Sequence, residues 1–165
     1  MNNALLFDFI VDKENKEIRV NRSFNAPIET VWEAWTNPEL LDQWWAPKPF
    51  KTETISMDFK VGGHWLYAMK GPNGELFWCK NEFTDIQPKS SYAGLDGFCD
   101  ENGVFNKEMP MHDWHNSFEE SGQQTIVHVK VVYPSEETLN QIIEMGFKEG
   151  FTAALENLDE LLTQN

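Results

Sequence analysis

The sequence predicts an α+β fold in which a curved antiparallel sheet wraps around one long C-terminal helix, with two short helices after the first strands. Three observations carry it. Apolar residues alternate in stretches separated by turn-forming residues, most cleanly at Thr125, Val127, Val129, Val131 and Tyr133. From Ser135 to Thr163 the period becomes helical, with Leu139, Ile143, Phe147, Phe151, Leu155, Leu158 and Leu162 on one face. Between the early and later strands, Ala26–Trp45 (APIETVWEAWTNPELLDQWW) holds four of the seven tryptophans and places Pro27 and Pro38 at the starts of two short helices.

Taken in order, residues 4–12 and 16–24 read as strands around the polar turn Lys13-Glu14-Asn15. In the second, Ile18, Val20, Arg22 and Phe24 fall on one side. Trp32 and Trp35 stand three apart in the first short helix. Leu40, Leu41, Trp44 and Trp45 follow at helical spacing in the next, which Asn37 is placed to cap. That much aromatic surface needs a protein core or a bound apolar molecule against it. Strands return at 52–59 and 65–69, Gly71-Pro72-Asn73-Gly74 makes a hairpin turn, and 76–86 is the partner strand. A strand at 91–98 leads into the loop Cys99–Gly103, and 112–120 and 123–133 form a hairpin around Ser121-Gly122. The last helix reads as continuous over 135–163, about 40 Å long. Gly146 and Gly150 lie four apart on or beside its buried face, where either close packing or space for a ligand explains them. A sheet wrapped on one helix leaves room between the two, a favoured place for small-molecule sites.

The 165 residues fit a single domain spanning 1–165 with room for a cavity. A net charge of −14 argues against nucleic acid as a partner, because phosphates would be repelled, and against anionic membrane surfaces. No apolar run is long enough to cross a bilayer, so membrane insertion is not expected. The start, MNNALLFDFIVDKEN, lacks a basic leader and is interrupted by Asp8, so it does not read as a signal peptide. Cys79 and Cys99 make no disulfide framework, and a cytoplasmic setting is expected. The apolar first strand, Leu5–Val11, offers an edge for a homodimer or for cover by the chain's own helix.

Several strings then match one pattern in order and spacing: Arg22-Ser-Phe-Asn-Ala-Pro27, Val31-Trp-Glu-Ala-Trp-Thr-Asn-Pro38, Trp44-Trp-Ala-Pro47, Val61-Gly-Gly-His-Trp65, Gly71-Pro-Asn-Gly74, Phe118-Glu-Glu-Ser-Gly-Gln-Gln-Thr125 and Met145-Gly-Phe-Lys-Glu-Gly-Phe151. Over about Ile18 to Leu162 the chain resembles proteins similar to the C-terminal domain of the activator of the heat shock protein 90 ATPase. That family lies within the START-like, or polyketide cyclase-like, superfamily. The resemblance implies a helix-grip fold with a hydrophobic cavity and carries over no catalytic set. Leu66 stands where relatives carry Arg, and Gln87-Pro-Lys-Ser-Ser91 replaces a run that usually includes Arg, so the pocket is expected to be less cationic than is common. Gly94–His115 has little family pattern and is where features particular to this protein are expected.

Candidate chemistry concentrates in Met109-Pro-Met-His112-Asp113-Trp114-His115. On a strand, His112 and Trp114 face one way and Asp113 and His115 the other, so the set does not converge and no metal site is expected. A general base would pair His112 or His115 with Asp113, Glu82 or Asp85 across the sheet. His64 and His128 stand alone on strands and read as surface or hydrogen-bonded residues. No nucleophile elbow, phosphate-cradling loop or dinucleotide fingerprint occurs, and no cofactor is expected. Three functions compete. The first is a binder of a small apolar or aromatic molecule, lined by Trp65, Tyr67, Met69, Trp78, Phe83, His112, Trp114, Phe147, Gly150 and Phe151. The second is a cyclase-, isomerase- or hydrolase-type enzyme with an acid or base among His112, Asp113, His115, Glu82 and Tyr67. The third is a chaperone-associated module, implied by the resemblance alone.

Overall fold

The computed structural model describes residues 5–109 and 111–163. Residues 1–4, which hold the expected start of the first strand and the first part of the stretch read against a signal peptide, lie outside the described residues, as does Pro110. The elements run β1 (Phe7–Asp12), β2 (Glu17–Phe24), α1 (Ile28–Thr36), α2 (Pro38–Trp44), β3 (Lys51–Met57), β4 (His64–Lys70), β5 (Leu76–Gln87), β6 (Ser91–Phe98), β7 (Met111–Ser121), β8 (Gln124–Val132), α3 (Glu136–Glu144) and α4 (Phe147–Leu162). The strands form one antiparallel, curved sheet in the order β1-β2-β8-β7-β6-β5-β4-β3. β8 returns beside β2, and the pairing slips between Thr54 and Ser56 and between Phe83 and Asp85. Such bulges bend strands and help the sheet curl around α4.

The expected single C-terminal helix is two helices. Gly146 adopts φ +90, a left-handed conformation that an L side chain rarely takes, and ends α3 before α4 begins. Both pieces bury an apolar face, α3 with Leu139 and Ile142 and α4 with Phe151, Ala154, Leu155 and Leu158. At 16 residues α4 is about 24 Å long, not 40.

The aromatic motif resolves mostly into core. Trp32, Trp35, Leu41 and Trp44 are buried, and the Asn37 side chain accepts from the Glu39 amide at 2.9 Å, capping α2. Pro38 has no N–H, so the Ala34 carbonyl four residues earlier lacks its helical donor. The Trp44 indole donates to it instead at 2.8 Å, while the Tyr92 hydroxyl of β6 donates to the Trp35 carbonyl at 3.2 Å. The end of α1 is thus closed by side chains from α2 and from the sheet. Asn157 of α4 donates to the Ala46 carbonyl at 3.0 Å, fixing the segment after α2 against the long helix.

Arg22 points inward from β2, as the alternation predicts, and donates to Asp159 of α4 and to the Ser23 carbonyl at 2.7 Å. Its guanidinium lies 5.0 Å from the Phe24 ring centre. Removing one partner of a buried ion pair strands the other charge. D159A is therefore expected to cost about 3 kcal/mol, and R22M, which removes the stranded charge itself, clearly less. Urea unfolding of both variants checks the order; an equal or reversed ranking would show that the pair is not buried in solution.

Candidate functional site

A cavity of about 360 Å³ lies between the concave face of the sheet and α4. Seven of the ten expected site residues line it: Tyr67 and Met69 from β4, His112 and Trp114 from β7, and Phe147, Gly150 and Phe151 from α4. Phe147 and Phe151 stack on each other at 5.4 Å, and Trp114 meets Phe151 edge-on at 5.6 Å. A Cβ built at Gly150 would meet only Pro47, at 3.7 Å, so the missing side chain opens space rather than allowing close packing. Phe77 and Met145, 46% and 54% exposed, stand at the cavity's rim.

The other three expected residues fall elsewhere. Trp65 stacks on Tyr67 at 4.0 Å, donates to the Thr54 hydroxyl at 3.0 Å, and with Phe83 lines a deeper recess of about 20 Å³. That recess shares Trp45, Asp96 and Trp114 with the main cavity. Trp78 lines neither space: Cys79, Asn81 and Phe83 are the buried, inward residues of β5, and the two-residue period turns Trp78 to the outer face beside Ala68.

Two residues matter that sequence reasoning did not place. Trp45, following α2, packs half-buried against the core, donates its indole N–H to the Tyr67 hydroxyl at 3.1 Å and walls both spaces. Asp96 of β6 is buried on the concave face, where its alternation with the inward residues Tyr92 and Gly94 and with Phe98 of the cavity wall was the available signal. Across the sheet Trp65, Asn81, Asp96 and His112 stand in register on β4, β5, β6 and β7. The inward carboxylate beside His112 is therefore Asp96. Asp113 and His115 are exposed on the outer face, Glu82 pairs with Lys80 at 2.9 Å, and Asp85 is exposed, so none of the expected carboxylates joins His112. Both Asp96 and His112 come from the segment expected to be particular to this chain.

Burial pushes the Asp96 carboxyl up to about 7, against hydrogen bonds from the Asn81 side chain and the Gly97 amide that favour the ionised form. Burial also pushes His112 down to about 4, keeping its ring neutral. Tyr67, Cys79, Tyr92 and Tyr133 are all raised, chiefly by burial. Asn81 Oδ1, Asn116 Oδ1, His112 Nδ1 and the Trp114 indole are buried with no hydrogen-bond partner among the described residues. Asn81 reaches its place because position 94 is glycine: a Cβ there would come within 1.9 Å of Asn81 Oδ1. The remaining histidines are hydrogen-bonded, His64 to Ser56 at 2.8 Å and His128 to Asn21 and Glu119, each at 2.8 Å. A second concavity, of about 340 Å³, lies on the outer face, lined only by strand residues that include Arg19, His115, His128 and Lys130.

A curved antiparallel sheet gripping a C-terminal helix over an aromatic cavity defines a helix-grip protein. The chain belongs to the family described as activator of Hsp90 ATPase homolog 1-like protein, whose pattern matches residues 25–163. It is similar to a crystal structure of a Mycobacterium smegmatis protein, at 29% identity and a TM-score of 0.89 over 98% of this chain and 99% of that one. A solution structure of an Arthrobacter aurescens protein is similar at 28% identity and a TM-score of 0.89, over 96% and 92% of the two chains. A family-named protein from Silicibacter pomeroyi, at 20% identity and a TM-score of 0.68 over 90% and 98%, shares the fold. No functionally curated protein matches the sequence. Among the described residues no helix is long and apolar enough to cross a membrane.

Proposed function

We propose that this protein binds a small, largely apolar molecule in the cavity between the sheet and α4. The observation that carries the reading is an aromatic space of about 360 Å³ in which Gly150 removes the side chain that would otherwise fill it. Tyr67, Met69, Trp114, Phe147 and Phe151 supply the apolar contacts, and His112 a polar one. The neutral fluorophore N-phenyl-1-naphthylamine tests it. The wild-type protein is expected to bind the probe with a rise in fluorescence. G150L should weaken binding about tenfold or more while its melting temperature holds. G150A, which relieves a helix-interior glycine, should raise stability by up to about 1 kcal/mol. Equal binding by wild type and G150L would overturn the reading.

A second reading is favoured by Asp96 and His112 lying side by side in the cavity. A buried carboxyl that titrates near neutrality beside a neutral imidazole is a workable acid–base pair, so turnover of a bound substrate is the alternative to simple binding. The free thiols Cys79 and Cys99 support a cytoplasmic setting. The exposed Phe7, Ile10 and Val11 on the edge strand β1 support a homodimer, which sedimentation at micromolar concentration tests.

A further inference from the structure

We propose that the molecule this cavity takes is a primary organic ammonium compound, its apolar body against Trp114 and Phe151 and its –NH3+ group on the Asp96 carboxylate. The inference rests on the cavity-binding reading and adds the charge of what is bound. Asp96 is the one formally charged side chain among the described residues lining the cavity or its recess; no lysine or arginine reaches either. Among the described residues no cationic group acts on its ionisation, and none stands as a counter-ion to the buried carboxylate. A bound ammonium supplies one. A carboxylate or phosphate ligand would instead meet like charge with nothing to offset it.

The uncharged polar groups around Asp96 agree. Asn81, the register partner of Asp96 on β5, has a buried acceptor Oδ1 without a donor, and the neutral ring of His112, its partner on β7, presents an unpartnered Nδ1 that accepts in the Nε2–H tautomer. A primary ammonium has three N–H donors and no acceptor, which suits a carboxylate flanked by acceptors on both neighbouring strands. Trp45 and Trp114, whose ring centres are 5.8 Å apart, wall both spaces beside Asp96 and offer aromatic surface to a cation. The chain's net charge of −14 raises the local concentration of cationic ligands as well.

Calorimetric titration with 2-phenylethylamine, 2-phenylethanol and phenylacetate, at a pH where Asp96 is ionised and the amine protonated, tests the assignment. The amine is expected to bind about tenfold or more tighter than the alcohol, and the acid to bind weakest. D96N should bring amine and alcohol to within about twofold of each other. The wild-type comparison stands without the variant, and D96S serves should D96N fail to fold. Alcohol binding as tightly as amine, or an amine preference that survives D96N, overturns the ammonium assignment and leaves the cavity reading intact. If N-phenyl-1-naphthylamine binds and none of the three does, the assignment falls alone. If that neutral probe fails too, the cavity reading falls with it.

Discussion

W44A is expected to destabilise the protein by about 4 kcal/mol, the largest loss of any single tryptophan truncation in the helical motif. Trp44 is 1% exposed and meets Trp35 and Trp45 edge-on at 4.9 and 5.3 Å, so truncation opens a hole that rigid rings on both sides cannot close. It also removes the donor to the Ala34 carbonyl, which Pro38 cannot replace, at a further cost of about 1 kcal/mol. W45A makes the contrast. Trp45 is half-buried and faces the cavity, so its loss should cost about half as much stability yet abolish most probe binding. Urea unfolding and N-phenyl-1-naphthylamine titration of the two variants separate a core tryptophan from a cavity tryptophan one residue away. Equal destabilisation, or probe binding unchanged in W45A, would show that the division of the motif between core and cavity is wrong.

That division marks how far the sequence could be read. Alternation at Thr125 to Tyr133 and the turn residues located every strand but the first to within one or two residues, because a half-buried sheet enforces a period of two; the first begins only at Phe7. The tryptophan run announced buried aromatic surface but not what it is buried against. Both Trp44 and Trp45 lie on a helical face, and only the docking of α2 sends one inward and the other to the cavity. Gly146 was visible, but its positive φ was not, and with the pattern apolar on both sides the two helices read as one.

The cavity's polar pair was hidden by distance along the chain. His112 invited a search among neighbouring acids, whereas its partner Asp96 sits on the preceding strand, across the loop that joins β6 to β7. That register depends on how the loop folds back, with Cys99 bridging Phe105 and Lys80 over the Phe105 ring at 4.4 Å, and no local spacing reveals it. A charged residue alternating with Tyr92, Gly94 and Phe98 was the one clue to a buried carboxylate. Trp78 failed for the opposite reason: it was grouped with Phe83 by aromatic character although the two stand five positions apart, an odd offset that puts them on opposite faces.

D96N is expected to raise stability at pH 8 by a few kcal/mol and to turn a nearly flat pH dependence between pH 4 and 6.5 into a rise. In the fold the Asp96 carboxyl is held up to about 7 from an ordinary 3.8, so the folded state grips its proton more tightly than the unfolded chain does. The stability this contributes is complete below pH 3.8, is lost as pH rises to about 7, and stays lost above. His112 has the opposite sign. Its folded value falls to about 4 from 6.5, so burial costs nothing above pH 6.5 and costs more as pH falls towards 4. Tyr67, Cys79, Tyr92 and Tyr133 keep their protons throughout, since all are raised. For these two groups the wild-type slopes oppose between pH 4 and 6.5, leaving a decline from 6.5 to 7. Removing Asp96 exposes the histidine, so D96N should gain stability from pH 4 to 6.5 and then level off. H112N should do the reverse, losing stability steadily from pH 4 to 7. Melting temperatures of the three proteins across pH 4 to 8 read both slopes. A D96N protein less stable than wild type at pH 8 would mean that the carboxylate already has a partner within the fold, and the case for a cationic ligand would lose its foundation.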